Sequence, residues 1–267
     1  MRAYVINLAR SPDRRAHITA ELRKTGLDYE IITAVDGRDV DLHDATVIGP
    51  SLLAKNAFPA GTAGCALSHI RAYRRMVEDG LDEALILEDD VTLPADLAAV
   101  ADAVASHLTG AEVALLNYGS PDTCKISLEG SVYLPQSRLL ALPIDVGQLV
   151  NAGAYVITRE ACLRMIERGL PVRANADDWR YFYQDGIIDR VRCVLPLAVV
   201  KSPRFESTIG LYSLGNGIKA RVVRPLVSRK IPLVHQMILY RRQRILRQWD
   251  RSEIVDVPFI EKPSRLG

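Results

Sequence analysis

Short runs of apolar residues recur along the chain, and each is bounded by residues that favour turns. Continuous apolar runs of four to eight residues are typical of strands buried on both faces of a sheet. In the first half they predict strands over Tyr4–Leu8, Tyr29–Thr33, Ala84–Leu87 and Val113–Asn117. In the second half, Ala154–Thr158 is predicted to be a strand and Val191–Val200 a further strand region.

Helical spacing of apolar residues fills the intervals between these runs. Ser11 and Pro12 form an N-cap and first-turn pair, which predicts a helix from there to about Thr25. The clearest helical pattern runs from Thr62 to Asp79. Further helices are predicted over 97–108 and 159–168, whereas residues 38–60 show no clear period. This order of strands and helices predicts an α/β fold.

Composition and length narrow the class of protein. The chain has 267 residues, of which 48% are hydrophobic and 25% charged, as in an ordinary globular protein. Its net charge of +2 gives no indication of nucleic-acid binding. It contains neither an apolar run of bilayer length nor an apolar signal core, so we expect a cytoplasmic protein. The four cysteines form no CxxC pair and are expected to be reduced and mostly buried.

Three adjacent carboxylates, Glu88-Asp89-Asp90, follow the predicted strand Ala84–Leu87 directly. Ligands of open α/β sheets bind beyond the carboxyl ends of the strands. Because side chains two apart on extended backbone point the same way, Glu88 and Asp90 should share one side. A divalent cation such as Mg²⁺ or Mn²⁺ would offset their mutual repulsion. The alternative is a solvated acidic turn between a strand and a helix.

Four segments together resemble glycosyltransferase family 25, the lipopolysaccharide and lipo-oligosaccharide glycosyltransferases related to the procollagen galactosyltransferases. They lie in the family's order and with similar spacing. In sequence they are VINL followed by RSPDRR (residues 5–15), AVDG (34–37), GCALSHI (64–70) and LILEDDV (85–91). The later segment GAYVIT (153–158) is similar as well.

The resemblance implies a GT-A-like, Rossmann-type α/β/α sandwich with a mostly parallel sheet. It also implies a nucleotide-sugar donor, typically UDP-galactose, and a Mn²⁺ or Mg²⁺ ion at a DxD-type motif. By that likeness Asp90 is a metal ligand that bridges to the diphosphate. Glu88 stands where DxD proteins more often have Asp, and it is expected near the ribose or a metal-bound water.

Candidate nucleotide contacts follow from position. Asn7, Arg10 and Arg14 lie where the first strand ends and its helix begins, a place that favours phosphate binding. Asp36 follows the second strand and could accept hydrogen bonds from a ribose or a uracil, although Asp-Gly is also a turn signal. The remaining candidates are Ser68, His69 and Asp89, and for His69 simple packing is the alternative.

The family is classed as inverting, so the resemblance implies a single displacement that needs a general base. Asp177 and Asp178 are the candidates, because adjacent carboxylates stand there beside Trp179, a ring suited to a sugar acceptor. A cap at a turn is the alternative for the two carboxylates, and a core cluster is the alternative for Trp179. Asp185 is a further candidate, but it is followed by Gly186, and an Asp-Gly pair is typical of a turn.

Residues 218–251 hold ten Lys or Arg residues and one acid, Asp250. Apolar residues such as Ile238, Ile245 and Trp249 fall close to one helical face of this segment. A basic amphipathic helix is typical of peripheral binding to an anionic membrane surface, here the inner face of the cytoplasmic membrane. The alternative is a helix packed on its own domain. We therefore divide the chain into a catalytic domain, 1–217, and a basic extension, 218–267.

These observations predict a metal-assisted glycosyltransferase that moves a hexose from a UDP-sugar to a glycolipid saccharide. One alternative is a nucleotidyltransferase acting on sugar phosphates. Such an enzyme would normally carry a Gly-rich loop after the first strand, and residues 9–13 contain no glycine. A second alternative is a non-catalytic, membrane-associated binding subunit.

Overall fold

The computed structural model describes residues 1–50, 59–119 and 124–205, together with the backbone of 254–257. In these residues the helices are α1 (Pro12–Leu22), α2 (Ala60–Glu78), α3 (Leu97–Ala105), α4 (Arg159–Arg168) and α5 (Trp179–Gln184). The strands are β1 (Arg2–Asn7), β2 (Asp28–Thr33), β3 (Glu83–Glu88), β4 (Val91–Thr92), β5 (Glu112–Gly119), β6 (Cys124–Leu134), β7 (Arg138–Pro143), β8 (Val150–Thr158), β9 (Arg190–Leu195), β10 (Val200–Lys201) and β11 (Ile254–Val257).

Nine of these strands form one sheet, in the order β11-β6-β7-β9-β5-β8-β3-β1-β2. Strand β1 lies parallel between β2 and β3, and β5 lies parallel to β9. Strand β8 is inserted antiparallel between β3 and β5. Six of the nine strands run in one direction, and β7, β8 and β11 run in the other. The sheet is therefore mixed: most of its strands run in one direction, as predicted, although only three of its eight neighbouring pairs are parallel.

Helices cover both faces of the sheet, which gives the predicted α/β/α sandwich. Successive side chains of a strand point to opposite faces, so Val5 and Tyr4 join different apolar clusters. Ile18 of α1 and Leu97 of α3 pack with Val5 on one face. Helices α2, α4 and α5 pack with Tyr4 on the other face.

The predicted elements of residues 1–119 and the predicted strand and helix over 154–168 are present, with small shifts at their ends. Thr158 caps α4 as expected, and its hydroxyl accepts a hydrogen bond from the Ala161 N–H at 3.3 Å. The hairpin of β6 and β7 was not predicted. Its pairing shifts register between Ser127 and Val132, and such an irregularity breaks the alternation that would reveal a strand.

The start of α2 lies very close to the loop that follows β2. A Cβ atom on Gly64 would lie 2.7 Å from Val35 O and 2.7 Å from Gly37 N, so only glycine permits this approach. The Ser68 hydroxyl reinforces the contact, because it accepts a hydrogen bond from the Val35 N–H at 2.8 Å. Helix α2 therefore fixes the loop at the carboxyl end of β2.

Most of the predicted extension, including the basic segment 218–251, lies outside the described residues. Its residues Ile254–Val257 form β11, which pairs antiparallel with the first residues of β6 at one edge of the sheet. In the part of the chain that is described, no helix is long and apolar enough to cross a membrane. All four cysteines are free, and Cys124, Cys162 and Cys193 are buried, as expected.

Candidate functional site

The acidic triplet begins at the last residue of β3, at the carboxyl edge of the sheet. Immediately after it, β4 pairs antiparallel with β10, which brings Lys201 to the site. Lys201 Nζ lies 3.3 Å from Asp90 Oδ2, and the Asp90 carbonyl accepts a hydrogen bond from the Ser202 N–H at 2.7 Å. Burial, followed by the nearby Glu88, raises the pKa of Asp90. Asp90 is thus a buried carboxylate in a strongly charged environment.

Asp89 turns away from Glu88, toward the start of the chain. One of its oxygens accepts a hydrogen bond from Asn7 Nδ2 at 2.7 Å, and the other accepts one from Arg14 NH1 at 2.9 Å. All three side chains are buried. The predicted nucleotide contacts Asn7, Arg14 and Asp89 therefore come together, and their hydrogen bonds with one another hold β1 and α1 against the triplet. Arg14 NH1 also lies 3.5 Å from Asp90 Oδ2.

Glu88 faces α2, where His69 Nε2 lies 3.6 Å from Glu88 Oε1. The other ring nitrogen, His69 Nδ1, shares a hydrogen bond of 2.7 Å with the Tyr155 hydroxyl, which contacts the Tyr73 hydroxyl at 2.6 Å. Burial alone would raise the pKa of Glu88, but the neighbouring His69, with Lys201 and Arg14, holds it below its usual value. Glu88 is therefore an ionised carboxylate next to a rigidly held imidazole.

Cys65 and Asp177 face the same space as the triplet. Burial raises the pKa of the Cys65 thiol, and the charges of Glu88, Asp177 and Asp90 raise it further. Burial likewise raises the pKa of Asp177, against the effect of its hydrogen bond from the Asn151 N–H, and Glu88 adds to the rise. The structure therefore brings Asp177, predicted from a distant part of the sequence, to the acidic triplet.

The two base candidates occupy different environments. Asp178 is exposed, and its side chain caps α5 by accepting a hydrogen bond from the Tyr181 N–H at 3.1 Å. Asp177 is half-buried, and its Oδ2 accepts a hydrogen bond from the Asn151 N–H at 3.0 Å. Asp178 is therefore a helix cap, whereas Asp177 lies close enough to Glu88 for that charge to raise its pKa.

Neither Trp179 nor Asp185 contributes to this site. The Trp179 side chain is fully buried, and its Nε1 donates a hydrogen bond to Asn151 O at 3.0 Å. It is therefore part of the core and offers no face to a sugar. Asp185 ends α5 before Gly186, which has a φ of 65°, and its carboxylate binds Arg168 at 2.8 Å on the surface.

The remaining candidates surround the loop that follows β2. Asp36 accepts hydrogen bonds from Arg10 Nε at 2.7 Å and from Arg38 NH2 at 2.6 Å, and these arginines hold its pKa well below the usual range. The Ser68 hydroxyl donates to Gly64 O at 2.6 Å and accepts from Val35, so both functions are engaged. Arg10 is half-exposed at the rim of this edge and the Asp36 side chain is largely covered, whereas Ser68 supports the loop beneath them.

Two residues at this site were not found from the sequence. Lys201 stands in a short strand without a motif, and only the pairing of β10 with β4 brings it to Asp90. Asn151 has a φ of 90°, and its N–H, side chain and carbonyl contact Asp177, Asn117 and Trp179. A positive φ at asparagine is a backbone property that a single sequence does not reveal.

The fold and the site define an open α/β sandwich with a polar site at the carboxyl edge of its sheet. The comparison with known proteins is more specific. Residues 1–179 match glycosyltransferase family 25 (LPS biosynthesis protein), so the chain belongs to this family.

Curated relatives match a shorter segment. A glycosyltransferase 25 family member of Aedes aegypti is 38% identical over 95 residues, which are 33% of this chain and 16% of the relative. Procollagen galactosyltransferase 1 of Danio rerio is 33% identical over 95 residues, with the same coverage. Inactive glycosyltransferase 25 family member 3 of Mus musculus is 33% identical over 95 residues, again with that coverage. The chain spans about a sixth of the length of these relatives.

Solved structures are more distantly similar. The inositol-1-phosphate CTP transferase of T. maritima superposes with a TM-score of 0.38 and 12% sequence identity. The similarity covers 78% of this chain and 91% of that one.

Proposed function

We propose that this chain is an inverting glycosyltransferase that moves a hexose, galactose from UDP-galactose, to a saccharide of lipopolysaccharide or lipo-oligosaccharide. The observation that carries the proposal is the meeting of Glu88, Asp90 and Asp177 at the carboxyl edge of the sheet, in a chain of family 25. The family's description as an LPS biosynthesis protein supports the acceptor. The name of the Danio rerio relative supports galactose as the sugar.

The donor set at the triplet fits a divalent cation. Burial and the nearby negative charge of Glu88 raise the pKa of Asp90, and a cation between the two carboxylates would offset this unfavourable charge. We assign Glu88 and Asp90 as the residues that would hold Mn²⁺ or Mg²⁺. When bound, such an ion stabilises the leaving diphosphate as a Lewis acid.

Asp177 is the proposed general base, which takes the proton of the acceptor hydroxyl as that oxygen attacks the anomeric carbon. The hydrogen bond from the Asn151 N–H orients its carboxylate. Its raised pKa brings this base closer to the neutral pH at which a general base works best. Lys201, 3.3 Å from Asp90, adds positive charge where a diphosphate would bind.

The nucleotide is proposed to lie along the ends of β1 and β2. Arg10 is half-exposed there and is the proposed contact to phosphate, and Asp36, to which Arg10 is bound, is the proposed contact to ribose. Asn7, Arg14 and Asp89 support this edge from below through their mutual hydrogen bonds. The basic segment 218–251 is proposed to approach the anionic membrane surface that carries the glycolipid acceptor.

Thermal unfolding with a panel of nucleotide sugars, with and without Mn²⁺, tests this proposal, because a ligand that binds only the folded state raises the unfolding midpoint. We expect UDP-sugars to raise the midpoint only when Mn²⁺ is present. Asp90→Asn should abolish this Mn²⁺-dependent rise while leaving the fold intact. A panel without any response, or an unchanged Mn²⁺-linked UDP affinity in folded Asp90→Asn, would contradict the assignment.

A further inference from the structure

Helix α2 and strand β3 place three metal-ligating side chains around one point. Cys65 and His69 are four residues apart on α2 and therefore lie on the same helical face. Glu88 approaches this face from the end of β3. One ligand atom from each residue lies within 4.8 Å of the others, and no other group of three such residues occurs in the described ranges.

The second observation is the state of His69. Its ring is buried, with 2% of its surface exposed, and Nδ1 is occupied by the Tyr155 hydroxyl. Its Nε2 is buried without a hydrogen-bond partner and lies 3.6 Å from Glu88, beyond hydrogen-bond distance. Buried polar atoms nearly always make a hydrogen bond, so a buried imidazole nitrogen that makes none, in a group with a thiol and a carboxylate, calls for a ligand.

We propose that Cys65, His69 and Glu88 form a site for a borderline-soft divalent cation, Zn²⁺ or Co²⁺. A sulfur, an imidazole nitrogen and a carboxylate oxygen are the ligands of zinc, whereas Mg²⁺ prefers oxygen alone. Tyr155 and Tyr73 act behind His69, because a histidine ligand is usually oriented by a contact through its other ring nitrogen. Three protein ligands leave a fourth tetrahedral position for water or for an oxygen of a bound molecule.

The ligands of this site differ from those proposed for the Mn²⁺ or Mg²⁺ ion that binds with the nucleotide sugar. The two sites share Glu88, and Cys65 and His69 take the place of Asp90 in this one. The inference stands on the geometry of α2 and β3 and requires no glycosyl transfer.

Titration of the full chain with Co²⁺ under reducing conditions tests the site. We expect a thiolate-to-cobalt charge-transfer band in the near ultraviolet and intense visible bands of tetrahedral cobalt, which one equivalent of Zn²⁺ removes and excess Mg²⁺ does not. Cys65→Ser should abolish the charge-transfer band. His69→Gln should weaken Co²⁺ affinity by at least about tenfold, since loss of even an outer partner costs that much.

Two matched controls locate the ion. Cys124→Ser removes a buried cysteine on β6, away from His69 and its tyrosines, and should leave the charge-transfer band unchanged. Asp90→Asn should leave this band unchanged as well, because Asp90 is not a ligand of the proposed site. Circular dichroism verifies that each variant is folded. If Cys65→Ser does not fold, Cys65→Ala takes its place.

Three results would overturn the site. These are absence of the charge-transfer band in the folded wild-type chain, its persistence in Cys65→Ser, and unchanged Co²⁺ affinity in folded His69→Gln. Unchanged affinity in His69→Gln would mean that His69 Nε2 orients Glu88 and does not bind the metal. Calorimetry of UDP binding with Mn²⁺ separates this proposal from the proposed function. If UDP still binds but the cobalt charge-transfer band is absent, only the Cys65–His69–Glu88 site is refuted.

Discussion

Asp89 is a buried carboxylate that depends on side chains from the start of the chain. Asn7 and Arg14 each donate a hydrogen bond to it, and burial still raises its pKa above the usual value. These two partners lower the pKa of Asp89 and so stabilise its ionised form against the effect of burial. The contact joins β1, α1 and the end of β3, the three segments on which the proposed donor site is built.

Arg14→Ala should lower the free energy of unfolding by about 3 kcal/mol, because removal of one partner leaves a buried charge uncompensated. The neighbouring Arg15 is exposed and of the same residue type, so Arg15→Ala is the matched control and should change stability by less than about 0.5 kcal/mol. Urea unfolding of the three proteins measures the difference. Equal stability of the two variants would show that the pair does not hold this edge together.

Asp177 and Asp178 are adjacent, yet their surroundings assign them different tasks. In Asp177→Asn we expect turnover to fall by roughly 10²–10⁴-fold at saturating substrates, since an amide cannot act as a general base. Asp178→Asn is the matched control, and it should retain both turnover and stability because asparagine caps a helix as well as aspartate does. Steady-state transfer rates for each variant test this, and wild-type turnover in Asp177→Asn would place the base elsewhere.

The two acidic motifs could be found from the sequence, but the distinction within each could not. Position after an apolar run identified the triplet, and adjacent carboxylates beside a tryptophan identified Asp177 and Asp178. What separates Asp177 from Asp178 is burial and a hydrogen bond from Asn151, a residue 26 positions away in the chain. Trp179 shows the same limit, because an aromatic ring in a core and one in a sugar site have the same local sequence.

Helix α2 is the element that connects the loop after β2 to the acidic triplet. Its first turns lie against the backbone of Val35 and Gly37, whereas Cys65 and His69 face Glu88. The sequence predicted this helix because its apolar residues are regularly spaced. It did not predict the β6–β7 hairpin, whose irregular pairing lacks a period. The regular apolar face made α2 predictable, whereas a register shift interrupts the pairing of the hairpin.

Gly64→Ala should destabilise the protein, although alanine is intrinsically the better helix former by about 1 kcal/mol. The added Cβ would lie 2.7 Å from the backbone atoms Val35 O and Gly37 N, which cannot rotate away as a side chain could. We expect a net loss of about 1–3 kcal/mol, as for overpacked sites, measured by urea unfolding. An increase in stability would mean that α2 and this loop separate easily.

The complete site exists only in the assembled sheet. Strand β8 lies between β3 and β5 and supplies Asn151 and Tyr155, and the pairing of β4 with β10 supplies Lys201. Residues from the first and last described thirds of the chain therefore meet at one edge. The four family-like segments all lie before residue 92, which is why the sequence indicated the class of enzyme more fully than the acceptor side of its site.

The pairing of β11 with β6 bears on the predicted division of the chain at residue 217. A chain ending at 217 lacks β11, whereas a chain ending at 258 retains it, so the two differ in whether the edge of β6 is covered. An uncovered edge strand presents unpaired backbone groups to solvent and to other chains.

In the shorter chain we therefore expect faster hydrogen exchange at Cys124–Ser127, unchanged exchange in β1 at the far side of the sheet, and more self-association. Hydrogen-exchange mass spectrometry and sedimentation measure these effects. Equal protection at Cys124–Ser127 in both chains would show that residues 1–217 form an independent domain and that β11 adds nothing to its sheet.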